Sequence, residues 1–247
     1  MPRFFIPSDS ISDGKVTVRG SDAHHLSHVL RMAKGDVVTL CDMGRREHEC
    51  KITGFSEDTV ELEIISTKES SNEPTVKVTL YQGLPKADKL EQIIQKGVEL
   101  GVFSIVPVEA ERSVVKVKDD YSKKLSRYNA ISLAAAKQCG RALVPTVEEP
   151  MRFKDMIAAL KKHECSFICY EGADVVPLRT LAEEAFSNGI DDIGFYIGPE
   201  GGLSEAEISL AKAEGIALCG LGKRILRTET APLCVLSALM LLSGNLE

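Results

Sequence analysis

From Val76 onward, apolar strand-like runs alternate with segments of helical period, and this alternation limits the possible folds more than any other feature of the chain. VKVTLYQGL reads as a buried strand, and KADKLEQIIQKGVELG after it sets Leu90, Ile93, Ile94, Gly97 and Leu100 at helical spacing. FSIVPV is the next strand, followed by two helical stretches, KKLSRYNAISLAAAKQ and FKDMIAALKK. The pattern continues through CSFICYEG (strand), PLRTLAEEAFSNG (helix), DIGFYIG (strand), SEAEISLAKAEG (helix), IALCGLG (strand) and APLCVLSALMLLSG (helix). Strands separated by helices predict an α/β fold with a parallel sheet covered on both faces.

The first 70 residues have a different texture. KVTVRG, DVVTLCDMG and HECKITGFSEDTVELEIIS alternate apolar with polar residues and suggest a small antiparallel β-barrel. One helical segment, SDAHHLSHVLRM, interrupts them, with Ser21 or Asp22 as its cap and Lys34-Gly35-Asp36 as its stop. TKESSNEPT, polar and without periodic apolar positions, reads as a linker. The expected domains are therefore 1–70 and 74–247.

Composition narrows the function classes. With 44% hydrophobic and 27% charged residues among 247, the chain reads as globular. A net charge of −6 argues against coating nucleic acid by bulk electrostatics, so an RNA role needs local cations. Arg31, Arg45 and Arg46 are such candidates in the first domain. MPRFFIPSDS lacks a secretory pattern, and APLCVLSALMLL is too short to span a bilayer, so a cytoplasmic protein without membrane contact is expected. The seven cysteines form no disulfide framework or zinc pattern. His24 and His28 have the i, i+4 spacing of metal ligands but no third partner, so no metal is assigned.

IGPEGG, at 197–202, leaves the strand DIGFYIG at its C-terminal end, where ligands collect in open α/β sheets. Ser204 and Glu207 form a capping box, so the following helix starts without help from the glycines. Those glycines serve either a tight turn or a ligand. The loop lacks the lysine of a P-loop and is not G-x-G-x-x-G, and Glu200 disfavours a pyrophosphate. A neutral or cationic ligand such as S-adenosylmethionine, with its sulfonium and ammonium, suits it better.

LGKRILRTETAP, 221–232, likewise follows an apolar strand, with Arg224 and Arg227 beside an apolar pair. Two readings stand for these arginines, a surface ion pair with Glu229 or a planar fork for phosphate and carbonyl groups of RNA. Glu229 and Thr230 are candidate caps for the last helix, with Pro232 early in it. The two loops predict one shared crevice. Gln138 and Arg141, after an alanine-rich helix, are substrate-contact candidates. The last helix is apolar on nearly all faces and must be buried, either in the core or against a second copy.

Together these stretches resemble the ribosomal RNA small subunit methyltransferase E family, of the SPOUT class. The resemblance rests on RFF (3–5), HHLSHVLRMAKGD (24–36), IQKGVELGV (94–102), AAAKQCGR (134–141), IGPEGGLSEAE (197–207) and LGKRILRTETA (221–231), in that order over nearly the whole chain. It implies a PUA-like RNA-binding barrel, a knotted SPOUT domain, a homodimer, S-adenosylmethionine as methyl donor, and methylation at N3 of one uridine in 16S ribosomal RNA of the small subunit. Carried onto this chain, Gly198, Pro199, Glu200 and Gly201 shape the cofactor loop, and Leu221, Gly222, Ile225 and Leu226 form the adenine side. Leu84, Thr230 and Ala231 complete the set. Arg3 and His25, in matching stretches, join Arg31, Arg45, Arg46, Gln138, Arg141 and Arg224 as RNA contacts. Lys137, Cys139 and Lys223 stand where the family more often has Glu, Ser and Pro.

No unpaired His, Asp or Glu in the motif loops is an obvious base, and arginine stays charged. Arg227 is therefore assigned to stabilising charge on the uracil carbonyl oxygens. Alternatives are the same fold acting on a ribose 2'-hydroxyl or on transfer RNA, and a non-catalytic RNA-binding module. A nicotinamide-dependent oxidoreductase would need a dinucleotide fingerprint that YQGLPKADK is not.

Overall fold

The computed structural model describes residues 2–117 and 120–247. It divides into two compact units, one running to Glu73 and taking in Ala136–Val144, the other comprising Pro74–Ala135 and Pro145–Glu247.

In the first unit the order is β1 (Arg3–Phe5), β2 (Ile11–Ser12), β3 (Lys15–Arg19), α1 (Gly20–His24), β4 (Val37–Cys41), β5 (Arg46–Phe55) and β6 (Thr59–Glu69). The six strands form one curled sheet, a half-barrel, in the order β1-β4-β5-β6-β3-β2. β1 runs parallel to β4, and the other pairs are antiparallel. Irregularities in β5 at Glu49/Cys50 and Ile52/Gly54 bend the strand. Alternation does the packing: Val16, Val18, Val38, Leu40, Ile52 and Leu62 face a common core.

The helix after β3 is shorter than its apolar pattern suggests. α1 starts without a side-chain cap from Ser21 or Asp22, and after His24 the chain widens over His25–Val29, where Leu30 N–H bonds to His25 O at 2.9 Å. Ser27 Oγ donates to Ala23 O, the kind of back-bond that distorts a helix. Leu26 stays buried while His24 and His28 stack outside, ring centroids 4.5 Å apart. The chain leaves the helical path at Arg31, whose φ is +52°, before the expected stop at Lys34.

The expected linker is also more structured than its composition suggests. Thr67–Glu69 continue β6, and Glu73 is buried. Glu73 accepts from Arg141 Nη2 at 2.7 Å and from the backbone N–H of Ala142 at 2.7 Å. That pairing groups Ala136–Val144 with the first unit.

The second unit contains β7 (Lys77–Gly83), α2 (Lys89–Glu99), β8 (Ser104–Glu109), α3 (Ser122–Cys139) as far as Ala135, β9 (Thr146–Val147), β10 (Met151–Arg152), α4 (Phe153–Leu160), β11 (Cys165–Cys169), β12 (Val176–Pro177), α5 (Leu178–Ser187), β13 (Asp192–Ile197), α6 (Glu205–Ala213), β14 (Ala217–Gly220) and α7 (Ala231–Leu242). Its sheet is parallel, ordered β10-β8-β7-β13-β11-β14-β12, with β9 beside β8. β7 and β13 are buried along almost their whole length, as strands covered on both faces must be. β8 lies on one side of β7 and β13 on the other, so the chain changes direction across this pair. The Ile197↔Gln82 register sets the C-terminal ends of β7 and β13 side by side. An open α/β sheet places its ligand crevice at such a switch.

α7 packs against α2 and α5. Val235, Leu236, Leu239 and Met240 are buried, but Cys234 is exposed and Leu241 is 57% exposed. The helix is thus core on one side and open on the other, not buried all round. Among the described residues, no helix is long and apolar enough to cross a membrane.

Candidate functional site at the C-terminal strand ends

A cavity of about 430 Å³ opens at the C-terminal ends of β11, β13 and β14. That size is ordinary for a small-molecule site. Gly198, Pro199 and Glu200 form one wall. Leu221, Gly222, Ile225, Leu226 and Ala231 form the opposite one, with Arg224 and Arg227 at the same cavity. The two loops share one crevice, as their positions after separate strands suggested. Three residues expected at the cofactor lie outside the lining: Leu84 is buried in the core, Gly201 faces Arg112, and Thr230 heads α7 without a side-chain cap.

The bareness of the first loop has two physical causes. At Gly202 φ is +66°, a conformation that favours glycine. At Gly201 an added Cβ would meet Arg112 O at 2.8 Å, so the loop passes too close to its neighbour for any side chain. Beyond it, Ser204 caps α6 in the expected box, with Glu207 N–H donating to Ser204 Oγ at 3.2 Å and Ser204 N–H to Glu207 Oε2 at 3.0 Å. Glu207 Oε1 also accepts Glu111 N–H at 2.8 Å, which ties the loop after β8 to the same corner.

Glu200 does not stand alone in its loop. Lys89, from the first turn of α2, reaches Glu200 Oε1 at 2.9 Å and Glu229 Oε2 at 3.1 Å, and Lys86 N–H also donates to Glu200. Burial raises both carboxyls, but hydrogen bonds from Lys89 and backbone N–H groups outweigh it, and both sit below the usual carboxylate range. Arg227 also lowers Glu229 through its charge, and Glu171, Arg224 and Arg227 line the same crevice, so both signs of charge meet there. Glu200, expected to disfavour a pyrophosphate, is thus a carboxylate paired with Lys89. Glu229 is held by Lys89, and Arg227 has no carboxylate within ion-pair distance among the described residues. Arg227 acts on Glu229 through its charge alone, beyond ion-pair distance.

A third wall carried no signal in the sequence. Cys169, Tyr170, Glu171, Gly172 and Val175 line the crevice because β11 lies between β13 and β14 in the sheet. Chain order hides that neighbourhood. Thr228 and Lys89 were also missed, and both became legible only through their partners.

The proposed RNA contacts of the first unit fall into two groups. Arg141 is buried on Glu73, Arg3 bonds Glu47 at 2.8 Å with its side chain 18% exposed, and Arg46 bonds Asp42 at 2.7 Å. Arg141 is therefore a structural residue and not an open contact. Arg31 and Arg45 form no ion pair among the described residues, and His25 and Gln138 are exposed. Lys137 pairs with Asp22 at 2.9 Å and lies over the Phe4 ring at 5.3 Å.

The RNA methyltransferase domain family matches residues 71–240, and the RNA methyltransferase PUA domain matches 18–65. A Bacillus subtilis protein named ribosomal RNA small subunit methyltransferase E is 37% identical, over 97% of this chain and 96% of the relative. This chain belongs to the ribosomal RNA small subunit methyltransferase E family. The Neisseria gonorrhoeae family member, solved bound to S-adenosyl methionine, superposes with a TM-score of 0.83 at 32% identity, over 98% of each chain. A Legionella pneumophila methyltransferase structure, in complex with the cofactor SAM, has the same TM-score at 30% identity, over 97% of each chain.

Proposed function

We propose that this protein transfers a methyl group from S-adenosylmethionine to N3 of a uridine in 16S ribosomal RNA of the small subunit. The observation that carries the reading is the single crevice between the 197–204 and 221–230 loops, lined by both family motifs. Its residues fit the donor: apolar Leu221, Ile225, Leu226 and Ala231 suit an adenine ring, and Glu171 and Glu200 on the lining offer carboxylates to the sulfonium and ammonium. Bound there, the donor supplies a methyl carbon on a sulfonium that leaves as a neutral thioether.

The chain's own residues supply orientation and charge. Arg227, exposed and unpaired with carboxylate among the described residues, stabilises negative charge on the uracil carbonyl oxygens as the N3 proton departs to solvent. Arg224 holds the RNA backbone beside it. Most of the acceleration then comes from holding nitrogen and methyl in line.

The exposed side of α7, with Cys234 and Leu241, supports a homodimer built on that face. Family membership supports a knotted C-terminal segment, RNA docking by the first unit, and a cytoplasmic location, where ribosomal RNA is the partner. The test is to incubate the protein and donor with small subunits lacking the modification and to map the methylated nucleoside by mass spectrometry. 3-Methyluridine is expected. A 2'-O-methylated nucleoside, or methyl transfer to transfer RNA alone, would overturn the assignment.

A further inference from the structure

We infer that Thr228 is a positioning residue for the methyl donor, and that it acts through a directional hydrogen-bond chain with Gln82 that sets the spacing of the crevice walls. The inference rests on the reading of the crevice as the methyl-donor site and adds residues that neither the motif glycines nor the arginines account for.

The chain runs in one direction only. Gln82 Nε2 donates to Gly83 O at 3.1 Å and to Thr228 Oγ1 at 3.1 Å, and Thr228 Oγ1 donates to Gly198 O at 2.8 Å. Both terminal carbonyls can only accept, so the amide must present its nitrogen and the hydroxyl must point to Gly198. Gln82 is fully buried and Thr228 is 7% exposed, so water does not compete for these bonds. Three segments far apart in sequence meet here: the end of β7, the loop after β13 and the loop after β14.

Two further observations give the arrangement a purpose beyond stability. Gln82 Oε1 is buried without a hydrogen-bond partner among the described residues, a cost that an apolar side chain would avoid. Such departures from optimal packing gather at functional sites. β14 ends at Gly220, so strand pairing does not fix the 221–230 loop. Its position along one wall depends on side-chain ties, and Thr228 is the buried one. Gly83 completes the fit, since a Cβ there would meet Pro199 Cδ at 2.6 Å. The bare residue lets the cofactor loop seat against β7 while Thr228 draws the opposite loop toward it.

The experiment is calorimetric titration of S-adenosylmethionine into the wild type and into Thr228→Val, Thr228→Ser and Gln82→Met, with steady-state methylation of small subunits alongside. Thr228→Val keeps the shape and loses the hydroxyl, and its dissociation constant is expected to rise about tenfold, the effect of one lost hydrogen bond of ordinary strength. KM for the donor rises in parallel and kcat at saturating donor is unchanged. Thr228→Ser restores affinity to within about twofold. Gln82→Met weakens donor binding as Thr228→Val does, because it removes the donor to Thr228 Oγ1 and Gly83 O. Wild-type affinity in Thr228→Val overturns the inference, and if that variant does not fold, wild-type affinity in Gln82→Met does so instead. A wild type that binds no donor overturns the reading of the crevice itself.

Discussion

Arg141 and Arg227 carry the same guanidinium and are put to opposite uses. Arg141 is enclosed with Glu73, the two side chains 5% and 1% exposed, and that carboxylate also receives the N–H groups of Ala142 and Leu143 at 2.7 and 3.2 Å. Arg227 lies open at the crevice, and Lys89 rather than Arg227 pairs with Glu229. In the first unit a planar donor fork serves to close a loop on itself; in the second it stays exposed at the crevice with no carboxylate within ion-pair distance among the described residues. Residue type and motif do not distinguish the two uses. What distinguishes them is whether a distant carboxylate arrives to satisfy the fork.

Removing the partner is the strongest way to break the comparison. Glu73→Ala leaves a buried guanidinium uncompensated and is expected to cost about 3–5 kcal/mol in chemical denaturation. A loss below about 1 kcal/mol, the scale of an exposed pair, would show that Arg141 is open to solvent. Arg227→Lys keeps the charge and loses the fork. Its kcat for methyl transfer is expected to fall about 10²–10³-fold with unfolding stability unchanged, and near-normal turnover would remove Arg227 from the chemistry. Gly83→Ala sharpens the account of the walls: the added methyl pushes Pro199 outward at about 1–3 kcal/mol of overpacking, read as weaker donor binding with the first unit's ion pairs intact.

The smallest effect concerns the exposed tie. Glu200 and Glu229 have folded pKa values below the ordinary range, so the Lys89 interaction is complete above the unfolded carboxylate pKa of about 4.3 and is lost only as pH falls through the lower folded values. Donor affinity in the wild type is expected to stay flat from pH 7 to about 5. Lys89→Met moves the acid limb upward, because both carboxyls lose their ammonium. An acid limb unmoved by that substitution would show that the cluster does not influence the donor.

Much of this arrangement was legible in the residues and some of it was not, for identifiable reasons. The strand and helix alternation after Val76 is long and strongly periodic, so the parallel sheet followed from it, and the capping box at Ser204 marked where α6 begins. Glu73 was misread because TKESSNEPT has the composition of a linker, and its partner Arg141 lies 68 residues away. The helix at His24 was overextended because a single back-bonding serine outweighs a run of helical spacing. The wall after β11 was missed because its place between β13 and β14 is a property of the sheet and not of chain order. The last helix has apolar residues on every side, and periodicity cannot tell a core face from an open one when both are apolar.

A crystal structure determined with S-adenosylmethionine tests most directly whether the crevice holds a cationic methyl donor. Density for the donor between the Gly198–Gly202 and Leu221–Leu226 segments is the predicted result. Donor seated elsewhere on the chain, with this crevice empty at saturating concentration, would contradict it.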